Sequence, residues 1–213
     1  MAMIDMPQSQ PWQVLVLYGA SGTGKSTVAS QIARERGISW MQVDDLRLTL
    51  QYSRATLPEH NDELYSFLNT RDVWTRNLDE IRDAFIGTTQ AMVPAVRVVI
   101  DSHVVTGAPM VIEGDGVLPA LAEDPVIAQW VTAGVVRFCC ITAESRSELV
   151  DNMISRGRGD HLDNADRVAL HADANWAFNH WLVAESLRLS IPVVPCQPFE
   201  TLTQRICSAV SEV

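Results

Sequence analysis

Along this chain, short unbroken apolar runs alternate with longer stretches in which apolar residues recur every three or four positions. The first run, Gln13-Val14-Leu15-Val16-Leu17-Tyr18, ends at a glycine. A run apolar on both faces is the mark of a parallel strand covered by helices on either side. Lys25 to Arg36 then reads as a helix closed by Gly37, and Ile38 to Val43 as a second strand ending in Asp44-Asp45. A polar, helix-prone region runs from Leu46 to about Thr88. The helical period is clear from about Thr89 to Val105 and stops at Gly107-Ala108-Pro109. Met110 to Glu113 is a third strand, broken at Gly114-Asp115-Gly116, and Val135 to Ile141 a fourth. A helix from about Glu144 to Ile154 leads to the glycine-broken loop Arg156-Gly157-Arg158-Gly159-Asp160. A long amphipathic helix over roughly Asn164 to Leu189, a strand from Ile191 to Pro195 and a closing helix from Phe199 complete the chain. This alternation predicts an α/β fold with a parallel sheet between two helical layers. No repeat, linker or low-complexity tract interrupts it, so one domain over residues 1–213 is expected.

Composition narrows the possible partners. Of 213 residues, 47% are hydrophobic, enough for one sizeable core, and the formal net charge is −10. So negative a surface disfavours nucleic acid and anionic membranes as partners, but it leaves a nucleotide possible, because a helix N-terminus and one lysine act locally. The four cysteines form no CxxC or Cys/His cluster, which argues against a metal–thiolate site and for reduced thiols. Met1 to Pro11 lacks the basic-then-apolar pattern of a secretion signal, and the apolar runs are too short to span a membrane. The expectation is a soluble cytoplasmic protein; its oligomeric state is not legible.

The chemistry concentrates after the first strand. Gly19-Ala20-Ser21-Gly22-Thr23-Gly24-Lys25-Ser26-Thr27 fits G-x-x-x-x-G-K-[ST] at every fixed position, with a strand entering it and a helix leaving it. Glycines let such a loop turn its amide N–H groups inward onto phosphate oxygens, and the following helix adds its positive end. Lys25 would reach the β- and γ-phosphates and the Ser26 hydroxyl would ligate Mg²⁺. ATP with Mg²⁺ is therefore expected on residues 19–27.

Beyond the loop, the chain resembles the nucleoside monophosphate kinase-like group of P-loop kinases, which includes adenylate, shikimate, gluconate, polynucleotide and 2-phosphoglycerate kinases. Asp44-Asp45-Leu46-Arg47 is similar to the group's D-x-x-R pattern after the second strand. A carboxylate there can take the acceptor hydroxyl's proton, from Asp44 or Asp45, and Arg47 can hold an anionic group. The alternative is that Asp44 only caps the next helix while Arg47 is solvated. Val111-Ile112-Glu113-Gly114, with Leu118-Pro119 after it, looks most like the 2-phosphoglycerate kinase and zeta-toxin-like branches. Glu113 would hold water on Mg²⁺ or contact the acceptor; the alternative is a glycine-bracketed turn with solvated acids.

The resemblance implies more about architecture. It implies a five-stranded sheet in the order 2-3-1-4-5, an acceptor-binding helical insert over about 46–88 and a lid over about 155–163. Arg156 and Arg158 would close that lid over the transferring phosphoryl group. A further arginine common one turn earlier in the group is replaced here by Asn152. Arg71 and Arg76 in the insert would suit a polar or anionic small acceptor, and Pro195-Cys196-Gln197-Pro198 falls where the group packs against adenine. His103 and the tryptophans Trp74, Trp176 and Trp181 read as packing or satisfied residues.

The resulting expectation is an ATP-dependent phosphotransferase acting on a small molecule. Two rivals stay open: a zeta-toxin-like or nucleic-acid-end kinase, and a nucleotide-gated regulatory ATPase with little transfer.

Overall fold

The strand through Val14–Tyr18 (β1) is buried along its whole length and is the axis of the molecule. A computed structural model describes residues 12–70, 76–155 and 165–211. In it β1 pairs in parallel with Met110–Gly114 (β3) on one side and with Val136–Thr142 (β4) on the other. Ser39–Gln42 (β2) adds to β3, and Val193–Pro195 (β5) adds to β4. The all-parallel order is β2-β3-β1-β4-β5, as expected.

Alternation along β1 divides the core in two. Val14, Val16 and Tyr18 join a cluster with Met92, Val96 and Ile100 of the helix Leu78–Thr106 (α5) and with Phe178 and Leu182 of the helix Ala165–Arg188 (α8). Leu15 and Leu17 face the other way, onto Val28 and Ile32 of the helix Lys25–Arg36 (α1) and Leu202 and Ile206 of the helix Leu202–Ser211 (α9). The result is an α/β/α sandwich. At the end of β1, the buried Tyr18 hydroxyl meets Ser186 Oγ at 2.7 Å, tying α8 to the sheet. No helix among the described residues is long and apolar enough to cross a membrane.

The region between β2 and β3 differs most from its sequence reading. The helix Val43–Tyr52 (α2) starts immediately after β2, so Asp44 and Asp45 lie in its first turn rather than at a strand end. Two single turns follow, Asn61–Leu64 (α3) and Ser66–Asn69 (α4). Then α5 begins at Leu78, well before the expected Thr89, and its start is a capping box: Asn77 accepts from the Glu80 amide while Glu80 reaches back to the Asn77 amide. The apolar stripe had already started at Ile81 and Phe85. The charged run Asp79, Glu80, Arg82 and Asp83 covers the outer face and obscures it. The helices Ile127–Thr132 (α6) and Arg146–Ser155 (α7) flank β4.

Candidate active site

The phosphate loop joins the C-terminal end of β1 to α1. Gly19 packs so tightly beneath the end of β4 that a Cβ would lie 2.1 Å from the Ile141 carbonyl oxygen. Gly24, the residue that starts α1, has φ 85° and offers no capping side chain, so the first amides of α1 keep their donors for a ligand. A Cβ on Gly24 would also lie 2.6 Å from the Phe199 ring. Lys25 is 7% exposed and donates its ammonium to the Ala20 carbonyl at 2.8 Å, folded back along the loop.

Beside the loop lies a polar cavity of about 290 Å³. Gly22, Gly24 and Thr27 line it on one side, Asn152 on another, and Cys196, Gln197 and Phe199 close it. The segment expected beside adenine therefore borders the same space as the loop. The Cys196 thiol meets Glu148 Oε1 at 2.9 Å, and burial together with that carboxylate pushes it up to about 12, so it stays protonated.

Three acids gather on the other side of Lys25. Asp44, on the first turn of α2, takes a 3.1 Å ion pair from Arg47 one turn later. Arg47 also donates to Gln51 Oε1 at 3.3 Å, and the buried Gln51 in turn donates to the Leu64 carbonyl. Burial alone would push the Asp44 carboxyl up. The Arg47 charge and hydrogen bond, a hydrogen bond with Asp115 and the charge of Lys25 outweigh it and hold Asp44 below its ordinary value. Asp115 is the opposite case. Burial and then the Asp44 charge raise it, so of this pair Asp115 holds its proton to the higher pH. Glu113, 2% exposed, is raised chiefly by burial, against the pull of Lys25 and a hydrogen bond with Ser26. Ser26 and Glu113, the two residues expected near Mg²⁺, thus meet. Among the described residues no group of three or more His, Cys, Asp or Glu is placed to hold a metal alone. An ion on Ser26 and Glu113 would complete its shell with nucleotide phosphates and water.

Arg47 and Asp115 also line a second cavity of about 160 Å³, together with Phe67 of α4, Phe85, Thr88 and Thr89 of α5, and Asn175 and Phe178 of α8. Asn175 ties this second cavity to the phosphate loop. It is 3% exposed, its Oδ1 accepts from the Ser21 amide at 3.3 Å, and its Nδ2 donates to the His171 carbonyl. One turn on, the buried Asn179 accepts from Thr142 Oγ1 and the Ala143 amide at the end of β4.

The other expected residues fall elsewhere. Asp45 is exposed, which separates it from Asp44. Arg76 is exposed and donates to Thr70 Oγ1 at 3.3 Å, away from the second cavity's lining. Arg71, Trp74, Arg156 and Arg158 lie outside the described residues. His103 is satisfied at the end of α5, its Nδ1 lying 2.8 Å from the Ala108 carbonyl. Trp176 and Trp181 are half-buried against the two cores.

The isopentenyl transferase family model matches residues 12–156, from the start of β1 into the segment after α7. The chain belongs to that family. The match takes in the phosphate loop, Asp44, Arg47 and Glu113, so the loop and the acids belong to one family unit. The chain is also 26% identical over 188 residues to a 2-phosphoglycerate kinase from Methanocaldococcus jannaschii, covering 85% of this chain and 57% of that protein. A 2-phosphoglycerate kinase from Pyrococcus horikoshii is 22% identical over 205 residues, covering 93% of this chain and 64% of that protein. The chain therefore spans about three-fifths of the length of these curated relatives. Among solved structures, a shikimate kinase from Acinetobacter baumannii in complex with shikimate aligns over 93% of this chain and 90% of its own, at 11% identity and a TM-score of 0.49. A gluconokinase from Sinorhizobium meliloti aligns over 96% and 94%, at 14% identity and a TM-score of 0.45. At these scores the structural likeness reaches neither the site nor the substrate.

Proposed function

We propose that this protein is an ATP-dependent phosphotransferase that moves the γ-phosphoryl group to a hydroxyl of a small molecule. The observation that carries this reading is the position of Asp44. Its carboxylate is held ionised by Arg47 and feels the charge of Lys25, and its partners Arg47 and Asp115 line the second cavity. An ionised base thus stands between the phosphate loop and an enclosed space for an acceptor. The names of the two 2-phosphoglycerate kinase relatives support the same reaction class.

ATP would lie with its phosphates on the amides of residues 19–27 and its base toward Cys196 and Gln197. Lys25 would leave the Ala20 carbonyl for the β- and γ-phosphates. Mg²⁺, held through Ser26 and Glu113, would neutralise phosphate charge. The acceptor's hydroxyl oxygen forms the new bond to the γ-phosphorus, its proton passes to Asp44, and the bond to the β–γ bridging oxygen breaks to release ADP. Asp115, whose carboxyl is raised by burial and by the Asp44 charge, would hydrogen-bond to the Asp44 carboxylate and keep it oriented. Positioning and charge stabilisation supply most of the acceleration in such a transfer.

Membership of the isopentenyl transferase family favours a second reading, in which an isopentenyl group is the one transferred. One experiment separates the two. Purified protein with Mg·ATP is offered a panel of hydroxylated acceptors, including glycerate phosphates and sugar acids, and separately an isopentenyl diphosphate donor. Acceptor-dependent ADP release that is lost in Lys25→Ala supports phosphoryl transfer. Isopentenylated nucleotide with no ADP release overturns it.

A further inference from the structure

The second cavity has a chemistry at odds with a polyanionic acceptor. We infer that its occupant is an alcohol carrying an aromatic or similarly planar apolar ring, seated against Phe67, Phe85 and Phe178. The three side chains come from three separate elements, α4, α5 and α8, and converge on one space. They form a ladder: the Phe67 and Phe85 rings stack with centroids 5.1 Å apart, and Phe85 meets Phe178 at 5.6 Å. Trp181 continues it beyond Phe178, stacked at 6.0 Å and outside the cavity lining. Phe178 is buried, but Phe67 and Phe85 are only half-buried, so aromatic surface stays open beside a space that α8 and α5 already enclose.

The size and the polar groups agree. An apolar cavity of roughly 150 Å³ accommodates a benzene ring, and this one measures about 160 Å³. Arg47 and Asp115 mark the side toward Asp44, while the Thr88 hydroxyl, which donates to the Glu63 carbonyl, and the Thr89 hydroxyl, which donates to the Phe85 carbonyl, are occupied within the protein. A ligand that puts its ring on the phenylalanines puts its hydroxyl toward Asp44. The Arg47 charge is already matched by Asp44 at 3.1 Å, so it is not free to neutralise a ligand with two anionic groups, whereas a neutral aryl alcohol asks for no counter-charge.

The choice of an alcohol rests on the proposed phosphoryl transfer; the ring preference does not. Binding and turnover are therefore measured separately. In the presence of a non-hydrolysable ATP analogue and Mg²⁺, calorimetry compares 3-phenylpropane-1,2-diol, propane-1,2-diol and 2-phosphoglycerate. The phenyl compound is expected to bind roughly tenfold to a hundredfold more tightly than the plain diol, from burial of one ring and its stacking. Phe85→Leu and Phe67→Leu keep apolar volume but remove the stacking face, and each should erase most of that advantage. Equal binding of the two diols, or tight binding of 2-phosphoglycerate alone, overturns the inference. Turnover with ATP then tests the reaction: phosphorylated phenyl diol supports both proposals. Tight phenyl-diol binding without ADP release overturns phosphoryl transfer and leaves the ring preference standing. Phosphorylation of 2-phosphoglycerate without phenyl preference does the reverse.

Discussion

The two cavities beside Lys25 are built by different means. On the phosphate side the walls include the glycine-bearing turn of the loop and the first turn of α1, whose amides are uncapped, together with residues of α7 and of the chain after β5. Backbone donors are the same whatever the neighbouring side chains, so a nine-residue motif is enough to specify them. In the second cavity, the one proposed for the acceptor, the walls include side chains from α2, α4, α5 and α8, distant in sequence and brought together only by the fold. A phosphate site of this kind can be recognised from a motif, while an acceptor site has to be read from packing. Between them stand Asp44, Asp115 and Glu113, whose protonation is decided by burial and by one another.

The sharpest way to break the comparison is Lys25→Ala, which removes the ammonium of the phosphate loop. Turnover is expected to fall by about 10²–10³-fold, the usual cost of losing one preorganised charge-stabilising donor, while the thermal unfolding curve stays close to wild type. Turnover that persists would show that the loop does not drive the reaction. Next in size is Asp44→Asn, expected to slow transfer by about 10²–10⁴-fold, the range for a positioned general base, with ATP affinity nearly unchanged. Equal losses in both would make Asp44 a structural group. Because burial raises Glu113 while Arg47 holds Asp44 low, the first acid limb of wild-type activity should come from Glu113, above the ordinary carboxylate range, and the loss from Asp44 only below it. An acid limb unchanged in Glu113→Gln would contradict that order.

Smaller effects test the joint between the cavities. Asn175→Ala removes the 3.3 Å hydrogen bond that the buried Ser21 amide donates and should cost about 0.5–1.5 kcal/mol of stability, the net range for one intramolecular hydrogen bond. It should also raise KM for both substrates, whereas a purely structural residue would alter stability alone. The smallest effect is Asp115→Asn. A carboxyl raised on folding destabilises the protein once ionised, so its contribution is lost as pH rises through its folded value. Glu113 acts with the same sign, and Asp44, lowered on folding, with the opposite one. Comparing Tm at weakly acidic and weakly alkaline pH, Asp115→Asn should flatten the alkaline decline. An unchanged slope would show that Asp115 is not raised on folding.

Much of the fold was legible because its signals are local. The β1 run, the loop, α1 with Gly37 as its stop, β3, and β4 to within a residue are each announced within a few positions. The order of the strands came only through resemblance. The start of α5 was misplaced because Asp79 to Asp83 mask the first apolar contacts, although Asn77 and Glu80 spell a capping box. Asp44 and Glu113 stood out as acids ending apolar runs. Asp115, which in the sequence is only part of a glycine-bracketed break, is the hydrogen-bond partner of Asp44. Asn175 and Asn179 could have been noticed as polar residues four apart on the apolar stripe of α8. Nothing local marks Gln51 as the brace of Arg47, and nothing local distinguishes Phe67 and Phe85 from ordinary core residues.

By itself the sequence determined the alternation of strands and helices, the phosphate loop and the identity of the acids, because periodicity, glycine backbone freedom and helix caps act over a few residues. Only the tertiary structure decided that Asp44 rather than Asp45 faces Lys25, that Asp44 and Asp115 come within hydrogen-bonding reach, and that three phenylalanines from three helices meet in one cavity. Burial and electrostatic coupling depend on distances in space, and residues far apart in the chain acquire those distances only when the helices pack on the sheet.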